Sequence, residues 1–194
     1  MSVELVAIGA SWGGVHAVST VLEALPPAFG AAIVVAQHRS PDAETDTLSQ
    51  ILDARSALSV LDAEDKQELR PGCVLLAPQD YHLLVEPGSV SLSVDEQVHH
   101  SRPSIDVLLS SAADAYADRA AGVVLTGANA DGAQGLARIA ARGGAAIVQD
   151  PQSAARREMP DAALTATPAA RVLELEQIGA LLAELAGTRE EAAS

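Results

Sequence analysis

The sequence predicts an α/β fold with a mainly parallel sheet, contained in a single domain. Short apolar runs rich in β-branched residues recur along the chain, as expected of strands that are buried on both faces. The first of them passes through a glycine-rich turn into a segment with apolar residues at helical spacing. The chain of 194 residues is 48% hydrophobic, which is enough to bury one core. Together these features predict a Rossmann-like, doubly wound architecture.

The first half of the chain supplies two strands and two helices. The run VELVAI (3–8) predicts the first strand, and the turn GASWGG leads into a helix that begins near residue 14. AAIVVAQH (31–38) is apolar almost throughout and predicts a second buried strand, parallel to the first. DTLSQILDA (46–54) has the apolar spacing of a second helix.

The middle of the chain interrupts this alternation of strands and helices. Residues 73–95 contain alternating apolar runs around a Pro-Gly turn, which predicts a β-hairpin or meander inserted in the fold. RPSIDVLLSSAADAYA (102–117) places a proline ahead of a helical pattern. AAGVVLTG (120–127) then predicts a third buried strand, followed by a loop and a helix, and AAIVQD (145–150) predicts a fourth.

The last part of the chain is predicted to be less regular. Residues 152–166 are polar and indicate no particular element, whereas LEQIGALLAELAG (175–187) has the pattern of an amphipathic helix. The segment TREEAAS (188–194) is predicted to be a disordered tail. We therefore expect the folded domain to span residues 1–187.

Composition excludes several classes of function. The chain carries 26 acidic and 12 basic residues, a net charge of −14 that would repel a nucleic acid backbone. The one cysteine, Cys73, lies in an apolar run and is expected to be a small buried residue, as suits a reducing cytoplasm. No signal peptide and no apolar run of membrane-spanning length is present. We expect a cytoplasmic protein that does not insert into a membrane.

Three residues with catalytic chemistry lie where predicted strands end. Ser11 follows the first strand, His38 ends the second, and Asp131 lies in the loop TGANADGAQG after the third. In parallel sheets ligands bind beyond the carboxyl ends of the strands, so these side chains can converge there. A serine becomes a strong nucleophile when an imidazole takes its proton and a carboxylate orients that imidazole. The sequence therefore predicts a Ser–His–Asp triad.

Each of these residues also has a purely structural interpretation. Ser11 can be a turn or helix-cap residue, His38 a structural histidine, and Asp131 with the following glycine a turn pair. GASWG satisfies the G-x-S-x-G pattern, although an ordinary α/β-hydrolase places several strands before that motif. A glycine-rich turn can alternatively bind a phosphate. The other histidines lie without cysteines or carboxylates at metal-ligand spacing, so no metal site is expected.

The order of seven motifs resembles one family across nearly the whole chain. GASWGG, AQH, LAPQDYHLLV, RPSIDVLL, VVLTGANADGAQGL, QDP and MPDAAL occur in the order found in the catalytic domain of the chemotaxis methylesterases, the CheB family. The resemblance implies that Ser11 is the nucleophile, His38 the general base and Asp131 its orienting acid. It also implies hydrolysis of glutamyl methyl esters on the cytoplasmic part of chemoreceptors, with release of methanol, and glutamine deamidation as a related activity. No cofactor is implied.

The chain departs from the family pattern at three places. Trp12 stands where the family has a small or hydroxyl residue, and its indole is expected either to plug the core beneath the turn or to wall the active site. Ala128 and Asn129 replace the usual Met and Gly. We expect backbone N–H groups near Trp12 and Ala128 to form the oxyanion hole. Finally, the receiver domain of the well-known family members does not precede the first strand. Three interpretations are open: a stand-alone esterase, an excised domain, or a relative with another substrate.

Two other functions remain as alternatives to the esterase. A nucleotide-binding module fits the Rossmann-like architecture, although GASWGG is not G-x-G-x-x-G and no P-loop lysine follows. A catalytically idle interaction or regulatory domain would keep the fold without the chemistry. The expected partners of the esterase are methylated chemoreceptor-like proteins and a separate regulatory protein.

Overall fold

The computed structural model describes residues 2–39 and 47–188. Its strands are β1 (Leu5–Ala10), β2 (Ala32–Gln37), β3 (Ser59–Asp62), β4 (Cys73–Leu76), β5 (His82–Glu86), β6 (Ser89–Ser93), β7 (Ala120–Val124), β8 (Ala145–Gln149) and β9 (Arg171–Leu173). Its α-helices are α1 (Gly14–Glu23), α2 (Thr47–Asp53), α3 (Ile105–Tyr116), α4 (Ala133–Ala141), α5 (Glu158–Ala166) and α6 (Leu175–Ala186).

The main sheet has the strand order β3-β4-β2-β1-β7-β8-β9, and every neighbouring pair in it is parallel. β5 and β6 form a separate antiparallel hairpin. After β1 the chain builds one half of the sheet, then crosses to the other half at β7. β1 therefore lies at the topological switch point, where parallel α/β sheets bind their ligands. This confirms the predicted fold class, with its hairpin insertion.

Each face of the sheet is covered by its own apolar layer. All six residues of β1 are buried, and successive side chains alternate between the two layers, with Ala7 on one side and Ile8 on the other. The layer that contains Ile8 is completed by α1, α2 and α6, and the layer that contains Ala7 by α3, α4, α5 and the hairpin. Burial of central strands on both faces explains why their sequences are continuous apolar runs.

The structure corrects several details of the predicted elements. Within residues 73–95, Cys73–Leu76 joins the parallel sheet as β4, so only β5 and β6 form a hairpin, and Cys73 is half-buried. The prediction missed β3 and β9, which are short and partly exposed, and α5. Thr188, expected in the disordered tail, forms a bridge with Phe29. The rest of that tail lies outside the described residues.

Candidate active site

Ser11 lies in the turn between β1 and α1, immediately after the central strand of the sheet. Its N–H donates to the carbonyl oxygen of Thr126 at 2.9 Å, and its own carbonyl accepts from Gly14 N–H at 2.8 Å. Gly13 has φ of 78°, and a Cβ there would lie 2.7 Å from the Cβ of Ala155. Glycine is required at that position because a side chain would be both strained and too close to its neighbour.

His38 is placed beside Ser11 by the register of the two strands. Ala10 and Gln37 are paired in the parallel ladder, and His38 N–H donates to the carbonyl of Ala10 at 3.0 Å. Ser11 and His38 are the residues that follow this pair. Side-by-side strand ends thus bring together two residues that are far apart in sequence.

Asp131 is held rigidly against His38. His38 Nε2 lies 2.8 Å from Asp131 Oδ2, and the carboxylate is fully buried. The same carboxylate accepts hydrogen bonds from the N–H groups of Ile105 (2.7 Å) and Asp106 (2.9 Å) and from the Ser104 hydroxyl (2.9 Å). Asp131 therefore occupies the amino-terminal end of α3, where the helix dipole favours a negative charge.

The electrostatics of Asp131 suit an ionised orienting group. Burial alone would raise its pKa, but hydrogen bonds from His38 and from the backbone of Asp106 and Ile105 outweigh it, so the pKa lies below its ordinary value. An ionised Asp131 can only accept, so His38 Nε2 carries the proton of the neutral ring. Nδ1, which has no hydrogen-bond partner among the described residues, is then the nitrogen that can accept a proton.

The candidate oxyanion groups lie in the turn that contains Ser11 and in the loop after β7, which approach each other at Ser11 and Gly127. In the described part of the chain, the backbone N–H groups of Trp12 and Ala128 make no hydrogen bond, whereas Gly127 N–H is committed to the carbonyl of Arg156 at 3.1 Å. The Asn129 side chain accepts from the N–H of Asp131 at 3.1 Å and so shapes the loop. Trp12 is 65% exposed, so the interpretation of its indole as a core plug is wrong. The indole instead lies at the surface, next to Ser11 in the chain.

Gln37 is a site residue that sequence reasoning missed. Its side chain is 5% exposed, and its Nε2 donates both to the carbonyl of Ser11 at 2.9 Å and to the carbonyl of His38 at 2.8 Å. One amide group thus joins the turn that contains Ser11 to the backbone of His38. The amide oxygen faces Gly14, where a Cβ would lie 2.1 Å away. The sequence did contain a signal for this role, because Gln37 is a polar residue at the end of an otherwise apolar strand.

Gly127 and Met159 close the site behind Ser11. A Cβ on Gly127 would lie 3.0 Å from the Cβ of Ser11 and 2.4 Å from the Cε of Met159. Met159 is fully buried, and its N–H donates to the carbonyl of Gly127 at 3.0 Å. The close approach of two loops explains why a glycine follows β7 in TGANAD.

A cleft of about 370 Å³ opens beside His38. Its lining is mostly polar and includes Arg39, Gln79, Asp80, His100 and Arg102. Arg102 is fixed by Asp80, with Nη2 2.7 Å from Oδ1. The cleft provides room for a substrate chain next to the paired imidazole.

The remaining histidines have other surroundings. His82 is buried, accepting the Ser104 N–H at 3.1 Å through Nδ1 and contacting the Glu96 carbonyl at 3.0 Å through Nε2, as a structural histidine does. His99 lies 3.3 Å from Asp106, whose pKa is raised by burial and by the charge of Asp131. His16 is exposed on α1.

Ligand atoms of His99, Asp106 and Asp131 lie within 4.8 Å of one another, a grouping that the sequence spacing did not predict. Both Asp131 oxygens already accept hydrogen bonds from protein donors, and Asp106 accepts from Gly135 N–H at 2.7 Å. These donors would have to be displaced by a metal ion, so the group fits a structural network better than a metal site.

Comparison with known proteins places the chain among methylesterases. Residues 6–182 match the family model described as CheB methylesterase. A Leptospira interrogans protein with the provisional name protein-glutamate methylesterase/protein-glutamine glutaminase is 44% identical over 186 residues, covering 95% of this chain and 96% of that protein. Protein-glutamate methylesterase FrzG of Myxococcus xanthus is 45% identical over 92% of this chain, which spans 53% of FrzG.

A solved structure gives the same result for the fold. The crystal structure of the Thermotoga maritima CheB methylesterase catalytic domain superposes with a TM-score of 0.88 at 35% sequence identity, covering 95% of this chain and all of that one. Within the residues that the structure describes, no helix has both the length and the apolar character needed to cross a bilayer.

Proposed function

The chain belongs to the CheB methylesterase family, and on that premise we propose that it is a serine hydrolase that demethylates glutamyl methyl esters and deamidates glutamines on chemotaxis-type receptors. The observation that carries the proposal is the contact of His38 with the fully buried carboxylate of Asp131, at the strand end next to Ser11 and at the switch point of the sheet. Ser11 is the nucleophile, His38 the general base and Asp131 the orienting acid.

The first half of the reaction forms an acyl-enzyme. His38 Nδ1 accepts the hydroxyl proton as Ser11 Oγ attacks the ester carbonyl, which gives a tetrahedral intermediate. Asp131 stabilises the resulting imidazolium through Nε2. The imidazolium returns the proton to the methoxy oxygen as the carbon–oxygen bond breaks, so methanol leaves and a glutamyl-serine ester remains.

The oxyanion of the intermediate is stabilised by backbone donors. Trp12 follows Ser11 in the turn, and Ala128 follows Gly127, which packs on Ser11. The N–H groups of Trp12 and Ala128 are not used elsewhere in the described residues. One such donor is typically worth about 3 kcal/mol in the transition state. Because these are backbone groups, replacement of the family's usual Met and Gly by Ala128 and Asn129 does not by itself remove a donor.

The second half of the reaction regenerates the enzyme. A water molecule gives a proton to His38 and attacks the acyl carbon, and the collapse of the second intermediate releases the glutamate product and restores the Ser11 hydroxyl. All proton transfers are performed by side chains of the chain itself, so the mechanism uses no cofactor. Deamidation follows the same steps with ammonia as the leaving group.

We also propose a substrate, a compartment and a regulator for this enzyme. The substrate is the methylated cytoplasmic region of a chemoreceptor-like protein, the enzyme acts in the cytoplasm, and a separate protein regulates it. Residues 1–187 form the catalytic domain. The side chain of Gln37 disfavours the alternative of a nucleotide-binding module, because its amide oxygen lies against Gly14 at the amino terminus of α1, where a phosphate would bind.

Release of methanol from a methylated receptor fragment tests the activity directly. The wild-type chain is expected to release methanol and to react covalently with a fluorophosphonate probe, whereas Ser11→Ala does neither. A folded wild-type chain that reacts with neither would support the idle interaction domain instead. Labelling by the probe without methanol release would indicate a serine hydrolase with another substrate.

A further inference from the structure

Trp12 and Arg156 form an exposed pair at the rim of the proposed active site. The Trp12 indole, adjacent to Ser11, is 65% exposed, and the guanidinium carbon of Arg156 lies 5.7 Å from its ring centroid. This is within the range of a cation–π interaction. A large aromatic side chain and a cation are thus held together at the surface, next to the nucleophile.

The backbones of the two residues are fixed to each other. Thr126 Oγ1 lies 2.9 Å from the carbonyl oxygen of Trp12 and accepts the N–H of Arg156 at 2.9 Å. The carbonyl of Arg156 accepts from Gly127 N–H at 3.1 Å, and Ala155 packs closely on Gly13. The loop that carries Arg156 is therefore attached to the same turn that presents Ser11.

The charge of Arg156 is not neutralised by an acidic partner. Within residues 2–39 and 47–188, every lysine and arginine except Arg156 and Arg171 takes part in an ion pair. Arg157, the next residue, is paired with Asp161, and nearby Glu158 forms no ion pair with Arg156. In a chain with a net charge of −14, an exposed arginine without an acidic partner close to Ser11 is available to bind an anionic ligand.

We propose that Trp12 and Arg156 form a carboxylate-binding subsite, which selects substrates that carry an acidic side chain close to the reacting glutamyl ester. This inference rests on the proposed function, because it names the substrate feature that the same site recognises. A guanidinium binds a carboxylate through two parallel hydrogen bonds, and the indole holds the guanidinium without neutralising its charge. The methylene groups of the acidic residue pack on the exposed ring.

The geometry of a helical substrate fits this arrangement. Residues three or four apart on a helix have Cβ atoms about 5–6 Å apart, so an acid one turn from the ester lies on the same face. With the ester at Ser11, we expect that acid to lie beside the adjacent Trp12, whose ring is covered by the Arg156 guanidinium. Specificity then comes from one charged contact at the rim, which high salt weakens.

Two matched peptides test the subsite. Each is a soluble helical peptide with one γ-methyl glutamate, and four residues away one carries Glu and the other Gln. The wild-type chain is expected to show a kcat/KM about tenfold higher for the Glu peptide at low salt. Arg156→Gln should reduce that ratio to about one, and Trp12→Leu should reduce it partly. Arg171→Gln, which removes the same charge on β9, should leave the ratio unchanged.

Several results would overturn the subsite. A wild-type kcat/KM ratio near one would show that the Glu peptide is not preferred. A ratio that persists in Arg156→Gln would show that Arg156 does not cause the preference. An equal decrease of the ratio in Arg171→Gln would show that only the overall charge of the chain matters. A carboxylate can also come from the reaction product, in which the ester has become a glutamate. The demethylated Gln peptide, which has no flanking acid, tests this second source. If it competes with substrate in the wild-type chain but not in Arg156→Gln, the subsite holds the product and not a flanking acid.

Measuring peptide binding without turnover tests the subsite independently of the proposed function. Trp12 is the one tryptophan in the chain, so its fluorescence reports peptide binding to Ser11→Ala without turnover. The Glu peptide should bind about tenfold more tightly than the Gln peptide, and the combination of Ser11→Ala with Arg171→Gln should keep that difference. If no peptide releases methanol, the proposed function fails, and the two dissociation constants still decide the subsite: equal values overturn it.

Discussion

His38 contacts Asp131 through Nε2, 2.8 Å from Oδ2, and therefore presents Nδ1 as its free nitrogen. In the chymotrypsin arrangement the two nitrogens have the opposite roles. His38 follows β2, whereas Asp131 lies in the loop between β7 and α4 and accepts the N–H of Ile105 at the start of α3.

Asp131→Asn is expected to lower kcat by about 10⁴-fold, because an amide does not hold the reactive tautomer of His38. Ser11→Ala and His38→Ala should each abolish most of the activity. Their combination should be little worse than either, since in the proposed mechanism the three residues act as one unit. Methanol release measures the rates, and thermal unfolding confirms that each variant is folded. Additive losses in the double variant would contradict a shared mechanism.

Gln37→Met is expected to lower kcat and leave KM nearly unchanged. The methionine keeps the shape of the side chain but removes the two hydrogen bonds to the carbonyls of Ser11 and His38, so the two residues lose their common restraint. Gln37→Glu should be worse, because a carboxylate would face two carbonyl oxygens.

The rate of fluorophosphonate labelling should fall in the Gln37 variants in parallel with kcat. Thr167→Val provides the control, since it removes another buried polar group at the far end of α5. Equal labelling rates in wild type and Gln37→Met would show that Gln37 contributes only to stability.

Gly127→Ala is expected to lower activity more than stability. The new methyl group would lie 3.0 Å from the Cβ of Ser11 and against the flexible end of Met159, which can move, so the strain falls on the nucleophile. Gly122→Ala is a matched control, because Gly122 lies within β7 and its methyl group would meet Leu136 at 3.0 Å inside the core, away from Ser11. That variant should lose stability but keep its activity per folded molecule.

The fold is expected to lose stability at acidic pH because the buried carboxylate of Asp131 becomes protonated. Its pKa is lower in the folded state than in the unfolded chain, so its stabilisation is complete above the unfolded value of about 4 and is lost as pH falls through the folded value. Asp131→Asn should flatten the dependence of the melting temperature on pH below about 4. An unchanged slope in that variant would mean that other carboxylates dominate.

Asp106→Asn is expected to raise the melting temperature at neutral pH by about 2–4 °C, the scale of 1 kcal/mol in a chain of this size. The pKa of Asp106 is raised in the folded state by burial, so the fold loses stability as the pH rises from the unfolded value of about 4 to the folded value, and the loss is complete above it. Asparagine can still accept the hydrogen bond from Gly135. The gain should disappear at pH values where Asp106 is protonated, and a gain that is independent of pH would contradict this explanation.

The sequence by itself was sufficient to predict the parallel sheet and the chemistry-bearing residues. Strands buried on both faces need continuous apolar runs, and that requirement made β1, β2, β7 and β8 visible. Ser11, His38 and Asp131 stood out because polar residues follow those runs at the end of the sheet where ligands bind. The short edge strands β3 and β9 were missed because half-exposed residues leave no such pattern.

Only the tertiary structure decided how these residues meet. Which imidazole nitrogen contacts Asp131 depends on the relative placement of β2 and α3, and no local pattern in the sequence encodes it. The role of Gln37 likewise depends on two carbonyl groups that become neighbours only when β1 and β2 pair. Trp12 gave no local signal of its direction, because an apolar side chain after a strand can turn inward or outward. The left-handed Gly13 and the packing of Ala155 and Thr126 direct it outward, where Arg156 contacts it.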